Sequence, residues 1–112
     1  MTTIFEKIIK GEVPSEKLYE SDKLIAIPDI NPQAPTHLLI IPKKPIPKLS
    51  DASEEDKELL GHLMWVAGEI SRELGLDETF RLVTNNGAKA GQSVFHLHLH
   101  LLSGRPLQWP PG

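Results

Sequence analysis

Three histidines occupy every second position of one apolar run, the segment SVFHLHLHLL from Ser93 to Leu102. In an extended chain successive side chains alternate between faces, so His96, His98 and His100 share one side. Phe95, Leu97, Leu99 and Leu101 take the other, the core side. Three of the chain's five histidines fall in this run, a concentration that a merely solvated face has no reason to produce. Two chemistries suit it. Histidines two apart on one face can share a zinc ion, but side chains four apart start about 13 Å from each other at a rise of about 3.3 Å per residue. One ion therefore cannot take all three, and further ligands would have to come from His37 or Asp29, because the chain contains no cysteine. The second chemistry is covalent catalysis, in which a neutral imidazole attacks an electrophile while its neighbours orient it and carry protons. Imidazole suits phosphorus because it titrates near neutral pH and leaves well after attack. Just upstream, NNGAKAGQS supplies Gly87 and Gly91, whose flexible backbone can present N–H groups to an anion.

Composition narrows the setting for that chemistry. The 112 residues amount to a single domain, residues 1–112, with one core. A net charge of −3 with both signs interspersed leaves no basic footprint for nucleic acid. The absence of cysteine excludes a disulfide framework, a thiolate metal site and a cysteine nucleophile. The start, MTTIFEKIIKGEV, lacks the pattern of a secretory signal, and no run approaches the about 18 apolar residues of a membrane span. A cytoplasmic protein with no membrane partner is the expectation.

The elements that must hold the histidines can be read in order. Thr3 and Glu6 stand at capping-box spacing before Ile4, Phe5, Ile8 and Ile9, and Gly11 stops the pattern, which predicts a short helix with one apolar face. EKLYESDKLIAIPDI predicts two short strands turning at SDK, and THLLIIPKK a more continuous apolar strand ended by Pro42. DINPQAPTH between them, with Pro32 and Pro35, is a loop. Ser53 caps the longest element, with Glu54, Glu55 and Asp56 in its first turn where the helix dipole favours negative charge. Leu59, Leu60, Leu63, Met64, Ala67, Ile70 and Leu74 follow at helical spacing up to Gly75, predicting a helix packed on two sides. ETFRLVTNN predicts another strand, GAKAGQ a loop, and the histidine run the last strand. SGRPLQWPPG ends the chain without regular structure. Near-neighbour strands with two helices interposed predict an α+β domain on an antiparallel sheet.

The HLHLHLL segment, His96 to Leu102, resembles the alternating motif of the histidine triad (HIT) family. The likeness extends through TIFEKIIKGEVPSEKLYESD, DINPQAPTHLLIIPKK and GQSVFHLHLHLLSGRPLQWPPG, loops and tail included, and is greatest to the Hint branch, the purine nucleoside phosphoramidases. That resemblance implies a HIT-like fold with a sheet of about five antiparallel strands continued across a homodimer. It implies a substrate such as adenosine 5′-phosphoramidate, or AMP joined to a lysine amine. The acidic residues cluster at Glu54 to Asp56, away in sequence from the histidines, so no metal or cofactor is expected. His98 matches the nucleophile that becomes transiently nucleotidylated before water releases AMP. His100 matches the position on the phosphate and leaving-group side. His96, together with His37 from a neighbouring strand, orients and polarises the set.

The same resemblance places Asn85 and Ser93 at the α-phosphate and the departing nitrogen, with Gly91 and Gln92 in the adjoining loop among the nucleotide contacts. On the residues alone, Asn85 and Ser93 are ordinary turn formers. Asp29 matches a carboxylate that accepts from both ribose hydroxyls, a task suited to its two oxygens. Ile4, Phe5, Ile8, Ile27 and Ile30 would form the base pocket, Ile27 standing where some relatives carry an aromatic. Taken alone they read as core, and a purine slot cut into a core edge satisfies both readings. The tail, about 103–112, packs at the dimer interface in the family and brings Trp109 near the partner's site as a candidate for leaving-group selectivity. The competing functions are a dinucleoside polyphosphate hydrolase of the Fhit kind, which carries glutamine where Asn85 stands here, and a nucleotide-binding regulatory module.

Overall fold

The Thr3 hydroxyl accepts from the Glu6 N–H at 3.2 Å, and Glu6 Oε1 accepts in return from the Thr3 N–H at 3.3 Å. This reciprocal cap satisfies two amides that a helix start leaves open, and it begins α1, Ile4–Ile9. The computed structural model describes residues 2–112. The following strands are β1 Tyr19–Glu20, β2 Leu24–Pro28 and β3 Thr36–Pro42; helix α2, Lys57–Glu73, precedes β4 Arg81–Val83 and β5 Leu99–Ser103. All strands pair antiparallel in the order β1-β2-β3-β5-β4, so the α+β five-stranded sheet read from the sequence is present.

The two-residue period of the strands divides the core between the two sheet faces. Leu24 and Ala26 of β2, Leu38 and Ile40 of β3, and Leu97, Leu99 and Leu101 pack against Leu63, Val66, Ala67 and Ile70 of α2. On the opposite face Ile25 and Ile27, with Leu39 and Ile41, pack against Phe5 and Ile8 of α1. His37, at an odd position of β3, and His100, paired opposite Leu39, fall on this second face. The face that carries the histidines is therefore a second, smaller core.

Three expectations change in detail. The histidine run does not join the ladder from its start: β5 begins at Leu99, and the preceding backbone is held elsewhere, with the Leu97 N–H donating to the Ile46 carbonyl at 2.7 Å and Thr84 Oγ1 donating to the His98 carbonyl at 3.0 Å. The chain bends there, and Phe95 is 46% exposed instead of entering the core. Helix α2 packs on one side: its buried stripe includes the wholly covered Val66, while Met64 and Leu74 are exposed together with Trp65. Residues 63, 66, 67 and 70 lie on one arc of a 3.6-residue turn, and Met64 falls outside it. Finally, Glu54–Asp56 form a 3₁₀ turn ahead of α2, so the acidic run precedes the α-helix proper.

Candidate active site

The register of the sheet brings the distant histidines together. Ile27 of β2 pairs with Leu39 of β3, and Leu39 pairs with His100 of β5. His37 is thereby set beside His100, its Nε2 lying 2.9 Å from His100 Nδ1. The His98 and His100 rings are 5.0 Å apart, and Phe5 stands edge-on to His98 at 4.9 Å and to His96 at 6.1 Å. Helix α1 thus contributes the aromatic wall that holds two of the imidazoles in place.

Hydrogen bonds to the main chain assign the protons. His98 Nδ1 lies 2.7 Å from the His96 carbonyl, which can only accept, so Nδ1 carries the proton and Nε2 keeps its lone pair. His96 Nε2 donates in the same way to the Pro42 carbonyl at 2.7 Å, and its buried Nδ1 has no partner among the described residues. At His37 the order is opposite: the Gln33 N–H donates to Nδ1 at 3.0 Å, so the proton is on Nε2 and points to His100 Nδ1. His100 accepts at Nδ1 and holds its own proton on Nε2. Four imidazoles are locked into a fixed donor–acceptor order.

Electrostatics keeps the two central rings neutral. Burial lowers the His98 pKa, with the His96 ring adding to the effect and the His96 carbonyl and Asp29 opposing it. Burial, then the nearby His98 and His37 rings, lowers His100 from its ordinary 6.5 to about 4. At neutral pH the site contains an unprotonated Nε2 on His98 and an N–H donor on His100, the pair that nucleophilic attack on a phosphoryl centre needs.

A cavity of about 380 Å³ opens onto them. Ile4, Phe5, Ile8, Ile27, Asp29, Ile30, Ser93, His98 and His100 line it, so nine of the residues singled out from the sequence meet at one place. Its lining is mainly apolar with a few polar groups, and its size falls in the range of small-molecule sites. Asp29 Oδ1 accepts from the Asn31 N–H at 2.8 Å, while Oδ2 lies 3.4 Å from His37 Nε2. Ile30 is fully exposed at the rim. His96 and His37 sit behind the cavity wall, both buried.

The remaining candidates lie outside the lining. Asn85 is half-buried beside Gly91, where an added Cβ would meet the Asn85 amide at 3.6 Å. Gly87 and Gly91 both have positive φ, 95° and 101°, as the loop before the histidines demands. The Gln92 side chain is spent on that loop: it accepts from the Gly87 N–H at 2.8 Å and donates to the Pro47 and Val94 carbonyls. Trp109 is 82% exposed on the tail.

The sequence reading missed Val13, Pro14, Ser15, Pro28, Leu39 and Val94 of the lining. Leu39 was accessible in principle, since it shares the odd face of β3 with His37. Val13 and Val94 follow only from the packing of loops, for which no local signal exists. The trio Asp29, His37 and His100 also offers three ligand atoms within 4.8 Å of one another, enough to hold a metal ion.

Comparison with known proteins agrees with this geometry. Residues 10–107 match the HIT domain. An uncharacterised HIT-like protein of Synechocystis is 59% identical over 110 residues, covering 98% of this chain and 96% of that protein. A 14 kDa zinc-binding protein of Zea mays is 51% identical over 112 residues, covering 98% of this chain and 88% of that one. Among solved structures, a HIT family hydrolase from Legionella pneumophila superposes with a TM-score of 0.96 at 46% identity, over 99% of this chain and all of that one.

Proposed function

The chain belongs to the HIT domain family and has the hydrolase-type function of that family; on this premise we propose that it is a purine nucleoside phosphoramidase. The observation that carries the reading is the 2.7 Å hydrogen bond from His98 Nδ1 to the His96 carbonyl, which leaves the His98 Nε2 lone pair free beside a neutral His100. In the proposed reaction Nε2 attacks the α-phosphorus of adenosine 5′-phosphoramidate or an AMP–lysine adduct. The new N–P bond forms as the substrate's P–N bond breaks, and the departing amine takes up a proton from solvent water, with the exposed Ser93 hydroxyl as the side chain suited to relay it. Water then cleaves the nucleotidyl-histidine, releasing AMP and restoring His98.

Each neighbour has a stated task in this scheme. The His100 Nε2–H donates to a phosphoryl oxygen as charge gathers there, where a fixed donor counts most. Asp29 accepts from the ribose hydroxyls, and Phe5, Ile8, Ile27 and Leu39 enclose the base. Asn85 and the backbone N–H groups around Ser93 bind the phosphate from the loop side. The protein works as a homodimer, with Trp109 of each tail reaching toward the partner's cavity.

No metal takes part. Were an ion to sit among Asp29, His37 and His100, it would need the lone pair of His37 Nε2, the nitrogen that the Gln33 N–H forces to carry a proton. Binding the ion would cost the hydrogen bond that orders His100. Release of AMP from adenosine 5′-phosphoramidate in EDTA, with wild type beside His98→Ala, tests the proposal. Turnover that survives EDTA and disappears in the variant is the expected result; a folded wild type without turnover, or a variant that keeps it, overturns the mechanism.

A further inference from the structure

The proton order of the His37–His100 pair rests on one main-chain amide in an irregular loop. Gln33 N–H fixes His37 Nδ1 as an acceptor, and every later assignment, His37 Nε2–H and His100 Nε2–H, depends on that. Gln33 itself is exposed, between Pro32 and Pro35, in the connection from β2 to β3. Apart from buried Ala34 and the local hydrogen bonds at Asn31, the segment lies on the surface, yet the Gln33 amide must stay aimed at a buried ring.

The tail after β5 supplies the restraint. Thr36 at the start of β3 pairs with Ser103 at the end of β5, so the loop and the tail leave the sheet at the same corner. Gly104 then turns with φ 99°, and a Cβ at that position would fall 2.8 Å from Pro35 Cβ. Only glycine permits both the conformation and the approach. The turn delivers Arg105 to the loop: its Nε donates to the Gln33 carbonyl at 2.8 Å, and its Nη1 donates to the Pro106 carbonyl at 2.8 Å. The planar guanidinium thereby ties loop to tail with two donors in a rigid fork, which a lysine offers only as a single point of contact.

We infer that Arg105 is a positioning residue: by clamping the Gln33 carbonyl, one peptide plane on from the Gln33 N–H, it fixes the loop backbone that aims this N–H, holds His37 in the Nε2–H tautomer and so keeps the His100 proton on the nitrogen left for the cavity. Its effect on rate rests on the phosphoramidase reading, but its effect on the tautomer does not. If the clamp were only a structural prop, loosening the loop would disturb Asp29 as well and weaken nucleotide binding. A tautomer clamp instead changes the chemical step.

The test uses the full chain with ¹⁵N-labelled imidazoles, comparing wild type, Arg105→Met and Arg105→Lys by NMR at neutral pH, alongside kcat and AMP affinity. The wild type is expected to show His37 Nδ1 unprotonated and Nε2 protonated. Arg105→Met should shift the His37 signals toward a mixed tautomer and lower kcat about 3- to 10-fold, with AMP affinity held within about twofold. Arg105→Lys should restore part of both changes. The inference is overturned if the His37 signals stay unchanged in Arg105→Met, or if AMP binding weakens as much as kcat. A wild type inactive toward the phosphoramidate would refute the functional reading, while the NMR comparison would still decide the clamp.

Discussion

His98 and His100 must be neutral to act, and their burial supplies that condition over a wide pH range. A nucleophilic imidazole without a perturbed environment would lose activity as pH fell through 6.5. Here both rings titrate lower, so the acid limb of kcat/KM should be centred below 6.5. An acid limb centred at or above 6.5 would contradict the burial argument. The same depression links pH to stability. Between the ordinary 6.5 of His100 and its folded value of about 4, the unfolded chain binds more protons than the folded one. Stability is therefore complete above 6.5 and is lost as pH falls toward 4, by about 3 kcal/mol for this residue. Denaturant midpoints measured at pH 7 and pH 4.5 should separate accordingly, and by less in His100→Asn. The identity of these residues was legible in the run of alternating histidines. So was the need for a carbonyl of the same strand to hold the far nitrogen of the nucleophile, which the His96 carbonyl meets at His98. The proton order of His96 and His37 was not, because it depends on the Pro42 and Gln33 backbone groups, whose positions come from tertiary structure.

Among the elements, α1 does more than its six residues suggest. Isolated helices of this length are unstable in water, so the cap and the apolar face must hold it. Phe5 and Ile8 cover the second sheet face, and the same side chains wall the cavity. Thr3→Ala removes the hydroxyl that accepts the Glu6 N–H and should cost about 1 kcal/mol, in line with other N-cap losses. The helix then frays over the base pocket. The measured result should be a lower thermal midpoint and a higher KM, with a smaller effect on kcat, because the hydrogen bonds that order the histidines come from the Gln33, Pro42 and His96 backbone and α1 adds only the Phe5 wall; a kcat effect as large as the KM effect would oppose this division of labour. The helix was readable from Thr3, Glu6 and Gly11 because capping is a local interaction. The bend at Phe95 and the one-sided packing of α2 were not, since the partners of residues 95–98 lie at Ile46 and Thr84, far off in sequence.

At the scale of the whole molecule, the apolar surface is unevenly distributed. Met64 and Trp65 stand side by side on the outer face of α2, exposed to 57% and 58%, and Trp109 is exposed on the tail. β4, only three residues long, forms one edge of the sheet with its outer hydrogen-bonding side open. An open edge and an apolar helix face on one molecule together invite a second copy, because strand pairing satisfies the amides while the side chains leave water. A stable interface of about 800 Å² per partner needs contributions from both elements. Wild type should therefore sediment at twice the chain mass, and Trp65→Glu, which places a charge in the proposed seam, should shift it to the monomer. If Trp109 reaches across that seam, the monomeric variant should still hydrolyse a simple phosphoramidate but discriminate less among bulkier amine leaving groups, and Trp109→Ala should lose the same discrimination while remaining a dimer. A wild type that sediments as a monomer would refute the assembly. A dimeric Trp109→Ala with unchanged selectivity would instead confine the tail's contribution to its own subunit, where Arg105 already ties it to the loop beside His37.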